Sequence, residues 1–312
     1  MKIYKYTSID SALKIIKSNQ VLLNTPNNFN DPFDSLMDVS EEEKNRVFNL
    51  IVNYFAFKEF CNFVNRKDIK LTSSQKELIK DVRKMISMTS KIIKETKQYN
   101  EMTGFTEMAT FFSSINKNLS IAIEDAKDKL YNEIIPDIEA TRSKARISCF
   151  SKRNDSILMW SHYANSHKGV CLEFEENREF FREVIYTTKR PKLSLYDATA
   201  RALAFDYIGE KLTYQDKEFA DKMLKPLYTK STDWSYEKEI RCILSDTEPN
   251  TPGYSFDGKY NYIKMNITKI YIGSKADPSD LKELIALAKE RNIPIVYMKE
   301  AKDEYLIVPI RR

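Results

Sequence analysis

Three short stretches of the chain hold residues whose types and spacing suit chemistry. In Trp234-Ser235-Tyr236-Glu237-Lys238-Glu239-Ile240-Arg241, a strand would put Glu237, Glu239 and Arg241 on one face and Lys238 and Ile240 on the other. On a solvent face this row is an ion pair. On the rim of a cleft it is an acid/base or hydroxyl-binding constellation, and both readings stay open. The run Ile240, Cys242, Leu244 marks the opposite face as buried, so Glu239 is expected to be the more shielded carboxylate, with Arg241 holding it ionised.

The second stretch is Ser148-Cys149-Phe150-Ser151, followed by Asp155 through Tyr163 and then His167-Lys168-Gly169. Both histidines and one of the two tryptophans fall within eight residues, from Trp160 to His167. On a helix starting near Asp155, Met159 and Tyr163 share a face and His162 lies one turn beyond Leu158. A histidine bonded to backbone and a tryptophan filling the core give the same pattern without catalysis. The third stretch, Asn28-Phe29-Asn30-Asp31-Pro32-Phe33-Asp34, either fastens a turn against a core or brings Asp31 or Asp34 to a pocket to bind a ligand hydroxyl or amide.

Better-known chemistry is excluded by pattern. There is no G-x-x-x-x-G-K-[ST], no G-x-G-x-x-G after a strand, and no H-E-x-x-H, G-x-S-x-G or EF-hand loop. Two histidines cannot build a His-rich metal site, so no metal is expected. Cys61, Cys149, Cys171 and Cys242 are scattered without a C-x-x-C pair and read as inert, reduced thiols. Fifty Lys and Arg against 45 Asp and Glu give a net charge of +5 with no polybasic run, which points away from a dedicated nucleic-acid clamp. No stretch reaches the roughly 18 to 20 apolar residues of a membrane span and the opening MKIYKYTSID lacks a signal-peptide core, so a cytoplasmic protein with no membrane partner is expected.

The elements that must position these residues follow from periodicity. IYKY predicts a strand, IDSALKIIKS a helix with Ala12, Leu13, Ile15 and Ile16 on one face, and VLLN a second strand. From 41 to 140 the pattern turns helical, with stripes at Val47, Phe48, Ile51, Tyr54 and Phe55, at Leu78, Ile79, Val82, Met85 and Ile86, and at Phe105, Met108, Phe112 and Ile115 toward Ile121, Ala122 and Leu130. After Arg142 strands return as RISCFS, GVCLEF, EVIYTT, EIRCIL, YIKMN, KIYIGS, IPIVYMK and EYLIVPI. Between them, helices are expected at DSILMWSHYAN, within the stretch from Leu195 to Thr229, and at DLKELIALAKERN. Without sustained βαβ alternation, the expectation is an α+β fold with a mixed or antiparallel sheet: a core of 1–40 and 141–312, and a helical insertion, 41–140, packed on it.

Taken in order, YKYTSIDSALKIIKSNQVLLNTPNNFNDPFD, SCFSKRNDSILMWSHYANSHKGVCLEF and WSYEKEIR resemble the bacterial domain-of-unknown-function family 2971. More distantly, strand, Tyr-Thr-Ser, helix, strand, N-D-P, a middle strand ending in Phe-Ser and a late strand bearing Glu are similar to the ADP-ribosyltransferase superfamily. That resemblance implies a sheet core of ADP-ribosyltransferase type with NAD as substrate. Lys5, Tyr6 and Thr7 would form its first motif, Ser151 the second, and Glu237 or Glu239 the third. Lys5 and Tyr6 stand where the superfamily carries His or Arg. Splitting an N-glycosidic bond needs a carboxylate near developing positive charge and aromatic surfaces for the nicotinamide, a role open to Tyr6, Trp160 and Tyr163. Asn30, Asp31 and Arg241 complete the expected ligand-binding set and His162 the catalytic one, around one shared cleft.

Two functions are carried forward from this. One is an NAD-dependent ADP-ribosyltransferase or NAD glycohydrolase acting on a nucleotide and an unspecified macromolecular acceptor, in the setting of a bacterial toxin or antiphage effector by analogy. The other is a non-catalytic ligand-sensing or protein-binding module of a bacterial defence system.

Overall fold

The computed structural model describes residues 1–37, 39–66, 72–99, 124, 127–193, 195–210, 223–245 and 250–310. Up to the middle of the chain the elements are β1 (Lys2–Thr7), α1 (Ile9–Ser18), β2 (Gln20–Leu23), α2 (Glu41–Asn65), α3 (Ser73–Thr96), α4 (Ile135–Lys144), β3 (Ala145–Ser151), α5 (Ile157–Tyr163) and β4 (Val170–Glu175). Then follow β5 (Phe181–Glu183), β6 (Ile185–Thr187), α6 (Leu195–Ile208), β7 (Thr229–Ser231), β8 (Glu239–Ser245), β9 (Tyr254–Phe256), β10 (Asn261–Lys264), β11 (Ile267–Ile272), α7 (Lys282–Glu290), β12 (Ile295–Glu300) and β13 (Ile307–Pro309). This is an α+β chain, and each strand run marked by β-branched and aromatic residues contains a strand.

The residues divide into two compact units: Met1–Leu36 with Thr141–Pro191 and Pro226–Arg312, and Met37–Ala140 with Lys192–Lys225. The first unit is built on a mixed sheet in the order β13-β12-β11-β4-β1-β3-β8-β5, antiparallel except for the parallel pair β11 and β12. A second sheet, β2-β10-β9, adds Val21, Leu23 and Ile263 to the same apolar core. Helix α1 begins because the Ser8 hydroxyl accepts from the Ser11 N–H, and it ends at Asn19 in the left-handed region, φ 52°. Its Ala12, Ile15 and Ile16 meet Ile3 of β1, Leu172 and Phe174 of β4, and Leu284 and Ala288 of α7 in that core. Across the sheet, Tyr6, Cys171 and Tyr271 form a second cluster with Met159, Trp160 and Ala164.

The second unit is helical. Val47, Leu50, Ile51 and Tyr54 of α2 bury against Ile93 of α3 and Leu195, Ala200, Leu203 and Ala204 of α6. Residues 192–225 therefore group with the helical unit, whereas the sequence reading left them in the α+β core. Flanking strands suggested a core helix, but the apolar face of α6 is completed by that of α2. The stripe from Phe105 to Ala122 and the part of the Leu195–Thr229 stretch between 211 and 222 lie outside the described residues. Among the described residues no helix is long and apolar enough to cross a membrane.

Candidate functional site

A cleft of about 400 Å³ opens within the first unit where two sheet strands part. Strand β1 is paired with β4 along all six of its residues, and β3 with β8 along all seven. Between themselves β1 and β3 share one pair, Tyr4 opposite Ser151. On the freed edge of β3, Ile147 exchanges two backbone hydrogen bonds with Asn24, of 2.7 and 2.8 Å. The Cys149 carbonyl, two residues on, takes the Lys5 amine at 3.0 Å. The walls are Tyr4, Lys5 and Tyr6 of β1, Ile147 to Ser151 of β3, Met159 and Tyr163 of α5, and Asn24, Asn28, Phe29, Asn30 and Asp34 from the segment after β2.

The floor is ionic. Arg241 is wholly buried and spends its guanidinium on two carboxylates: Nη1 and Nη2 each lie 2.7 Å from an oxygen of Asp34, and Nε lies 2.8 Å from Oε1 of Glu239. Nη1 also donates to the Leu227 carbonyl at 2.7 Å. Beside it, the Lys230 amine lies 2.6 Å from Oε2 of Glu237, 3.3 Å from Oε2 of Glu239 and 3.7 Å from Oδ2 of Asp34. Tyr163 donates its hydroxyl to the other oxygen of Glu237 at 2.6 Å. Three carboxylates thus surround two cations in a shielded space, where effective charge interactions exceed those in water.

The two glutamates are driven apart in acidity. Burial would raise Glu239, but Arg241 and Lys230 outweigh it and hold its pKa down at about 2. For Glu237, burial and the nearby Glu239 charge win over Lys230, and its pKa lies above the ordinary carboxylate range. Burial also works against the charge on Lys230, yet Glu239 and Glu237 hold it firmly protonated. The two carboxylates are therefore pushed in opposite directions, Glu239 toward the anion and Glu237 toward the protonated form. Environments that separate a carboxyl pair in this way mark acid/base assignments in enzymes.

Glu237 reaches its place by a route the strand period did not give. It ends a short 3₁₀ segment, Thr232–Glu237, and Lys238 then turns in the left-handed region, φ 46°, before β8 begins at Glu239. Glu239 and Arg241 share a strand face as expected; Glu237 comes to them from the turn. Both faces of β8 are buried, since only Ser245 escapes full burial.

Of the residues singled out from sequence, Lys5, Tyr6, Asn30, Ser151, Tyr163, Glu237 and Glu239 line the cleft, and Arg241 lies beneath them. Ser151 is wholly buried; its hydroxyl donates to the Glu237 carbonyl at 2.6 Å and accepts from the Arg153 N–H at 3.0 Å, so it staples the turn that carries Glu237. Four residues do not line the cleft. Asp31 closes a turn by accepting the Phe33 N–H at 2.9 Å. Thr7 lies at the end of β1 opposite Val170. Trp160 is wholly buried, donates its indole N–H to the Asn154 carbonyl at 2.8 Å and meets Tyr6 edge to face. His162 is exposed on α5, beside the rings of Tyr163 and Tyr236.

Sequence reasoning missed Lys230, the cation shared by all three carboxylates. Its only signal was a lysine inside the short strand Thr229-Lys230-Ser231, a few residues before the acidic run. Cys149 also lines the cleft, and burial and the adjoining Glu239 charge push its thiol well above the ordinary range, which leaves it inert. Among the described residues no three His, Cys, Asp or Glu side chains are grouped to hold a metal.

Residues 159–242, from α5 to β8, match a family described as Protein of unknown function (DUF2971). Tyr163, Lys230, Glu237, Glu239 and Arg241 all fall inside the matched stretch, and the family's description assigns no activity. No curated protein and no solved structure matches the chain.

Proposed function

We propose that the cleft binds NAD and cleaves its bond between nicotinamide and ribose, in the manner of an ADP-ribosyltransferase or NAD glycohydrolase. The observation that carries the reading is the convergence of its three motif strands: Tyr4 of β1, the residue before Lys5, lies opposite Ser151 of β3, and Ser151 opposite Glu239 of β8. Segments far apart in sequence thereby converge on one cleft with an acid pair at its base.

In this reading the nicotinamide leaves with the bonding electrons and the ribose carbon becomes oxocarbenium-like. Water or an acceptor hydroxyl adds to that carbon and surrenders its proton. Glu237 is the base that takes the proton, because it faces the cleft and its raised pKa makes it the stronger base of the two glutamates. Glu239, already held by two cations, stabilises positive charge at a distance and fixes Lys230, which in turn orients Glu237. Tyr163 and Tyr6 supply aromatic walls.

The test is to incubate the protein with NAD and measure nicotinamide release and modification of added protein or nucleic acid. Glu237→Gln is expected to lower turnover about 100-fold or more, the usual loss for a general base, measured well below the variant's own melting temperature because the substitution also breaks the buried pair with Lys230. Turnover unaffected by Glu237→Gln sinks the assignment. A second reading, a ligand-sensing module, draws on one specific feature: Ser151 and Glu239 already spend their hydrogen-bonding capacity within the protein. NAD bound in calorimetry without nicotinamide release is its signature.

A further inference from the structure

The two lysines of the cleft are treated in opposite ways. Lys230 faces three carboxylates within 4 Å. Lys5 has none among the described residues. Its amine is held by two neutral oxygens, Ser148 Oγ at 3.1 Å and the Cys149 carbonyl at 3.0 Å, and it lies 5.1 Å from the centre of the Phe150 ring. A desolvated ammonium without a counter-ion is costly, and a lysine answers that cost by giving up its proton.

The surroundings give only partial relief, from the Phe150 ring and from the Glu239 charge. The titratable groups nearest the amine are Cys149 on β3, and Glu239 and Cys242 on β8, and burial holds both thiols uncharged in the ordinary range. Glu239 is committed to Arg241 and Lys230. The opposite wall offers the neutral amides of Asn24, Asn28 and Asn30, and Asp34, whose two carboxylate oxygens are taken by Arg241. The Ser148 hydroxyl beside the amine can rotate to donate to an incoming oxygen.

We infer that Lys5 is a proton-coupled anion subsite: the ligand brings beside Lys5 the negative charge that the protein does not place there, and the amine binds its proton more tightly as the ligand enters. The ligand class is a phosphate-bearing molecule whose anionic group sits between Lys5, Ser148 and the asparagine rim. Burial pulls the Lys5 pKa below the ordinary lysine range, so in the empty cleft the amine holds its proton less firmly than an exposed lysine does. An anion alongside reverses that pull. The inference deepens the reading of the cleft as a nucleotide site by placing the phosphate end, but it does not require that any bond be cleaved.

The experiment is carbon-13 NMR of the full chain labelled at lysine Cε, titrated from pH 6 to 11 in sodium chloride and in sodium sulfate of equal ionic strength, sulfate being a phosphate-shaped anion that does not itself titrate there. The Lys5 signal is the one missing from Lys5→Met, a variant whose remaining signals report that it is folded. The expected result is a Lys5 midpoint below those of the other lysines in chloride, rising by about one pH unit or more in sulfate, equivalent to a tenfold preference of the anion for the charged amine. A Lys5 signal that titrates with the other lysines, or one that sulfate leaves in place, overturns the inference. Nicotinamide release assayed alongside separates the two readings. A sulfate-responsive Lys5 in a protein that leaves NAD intact keeps the subsite and removes the cleavage, while NAD turnover with an unresponsive Lys5 does the reverse.

Discussion

Replacing Arg241 with methionine removes the guanidinium that bonds both Asp34 and Glu239, and the structure fixes how much this should cost. Breaking a buried ion pair from one side costs about 3 to 5 kcal/mol, because the partner charge is left without compensation. Here Lys230 remains 3.3 Å from Glu239 and 3.7 Å from Asp34, so the loss should fall near the lower end. The acidity of Glu239 is of the same order: a fall from the ordinary 4.5 to about 2 corresponds, at about 1.4 kcal/mol per pH unit, to about 3 to 4 kcal/mol, shared between Arg241 and Lys230. Because the folded-state pKa lies below the unfolded one, this stabilisation is complete above about 4.5 and is lost as pH falls toward about 2. Urea unfolding followed by circular dichroism at pH 7 should therefore show a loss of about 3 kcal/mol for Arg241→Met, with melting lowered by roughly 6 to 12 °C. At pH 4.5 the gap should narrow, since the freed Glu239 takes a proton more easily. Adding Glu239→Gln should recover part of the loss by removing one stranded charge. A deficit under about 1 kcal/mol at pH 7, or a gap that widens in acid, refutes the view that Arg241 anchors this floor.

Two further outcomes follow from the geometry. Tyr163→Phe removes a charge-assisted bond to Glu237 worth roughly 1.5 to 3 kcal/mol and disfavours the ionised carboxylate, so the acid limb of the pH profile of NAD turnover should move to higher pH; an unmoved limb would detach Tyr163 from Glu237. Gly273→Ala places a methyl group 2.1 Å from the His167 carbonyl oxygen, and Gly169→Ala one 2.3 Å from that of Thr7, both rigid backbone atoms, so each should cost about 3 kcal/mol or more in urea titrations. Either variant as stable as the parent would show that this backbone crossing can yield.

Much of the first unit was legible because its strands are spelled locally. Val170, Cys171 and Leu172, with Phe174 beyond Glu173, are buried, as a run walled in on both faces must be, and the Ala12, Leu13, Ile15 and Ile16 spacing announced α1. The grouping of α6 with α2 was hidden, because an apolar helical face states that it needs a partner without stating which. In the site, period-two spacing was right for Glu239 and Arg241 but not for Glu237, since a left-handed Lys238 is not written in the residue type. Trp160 and His162 drew attention as rare residues. Yet Trp160 fills the core and His162 meets solvent, while a plain lysine, Lys230, holds three carboxylates. A pairing that spans the chain, such as Asp34 with Arg241, leaves no short-range trace.

That same separation orders events during synthesis. Asp34 and Arg241 lie 207 residues apart, and at about 5 to 20 residues per second a ribosome needs roughly 10 to 40 s to make the stretch between them. Throughout that interval β1 and the segment bearing Asp34 already exist, but Lys230, Glu237, Glu239 and Arg241 do not. A nascent chain therefore has no acid pair and no closed floor, and whatever the cleft does begins only after β8 has left the ribosome and closed over a carboxylate that has waited in water.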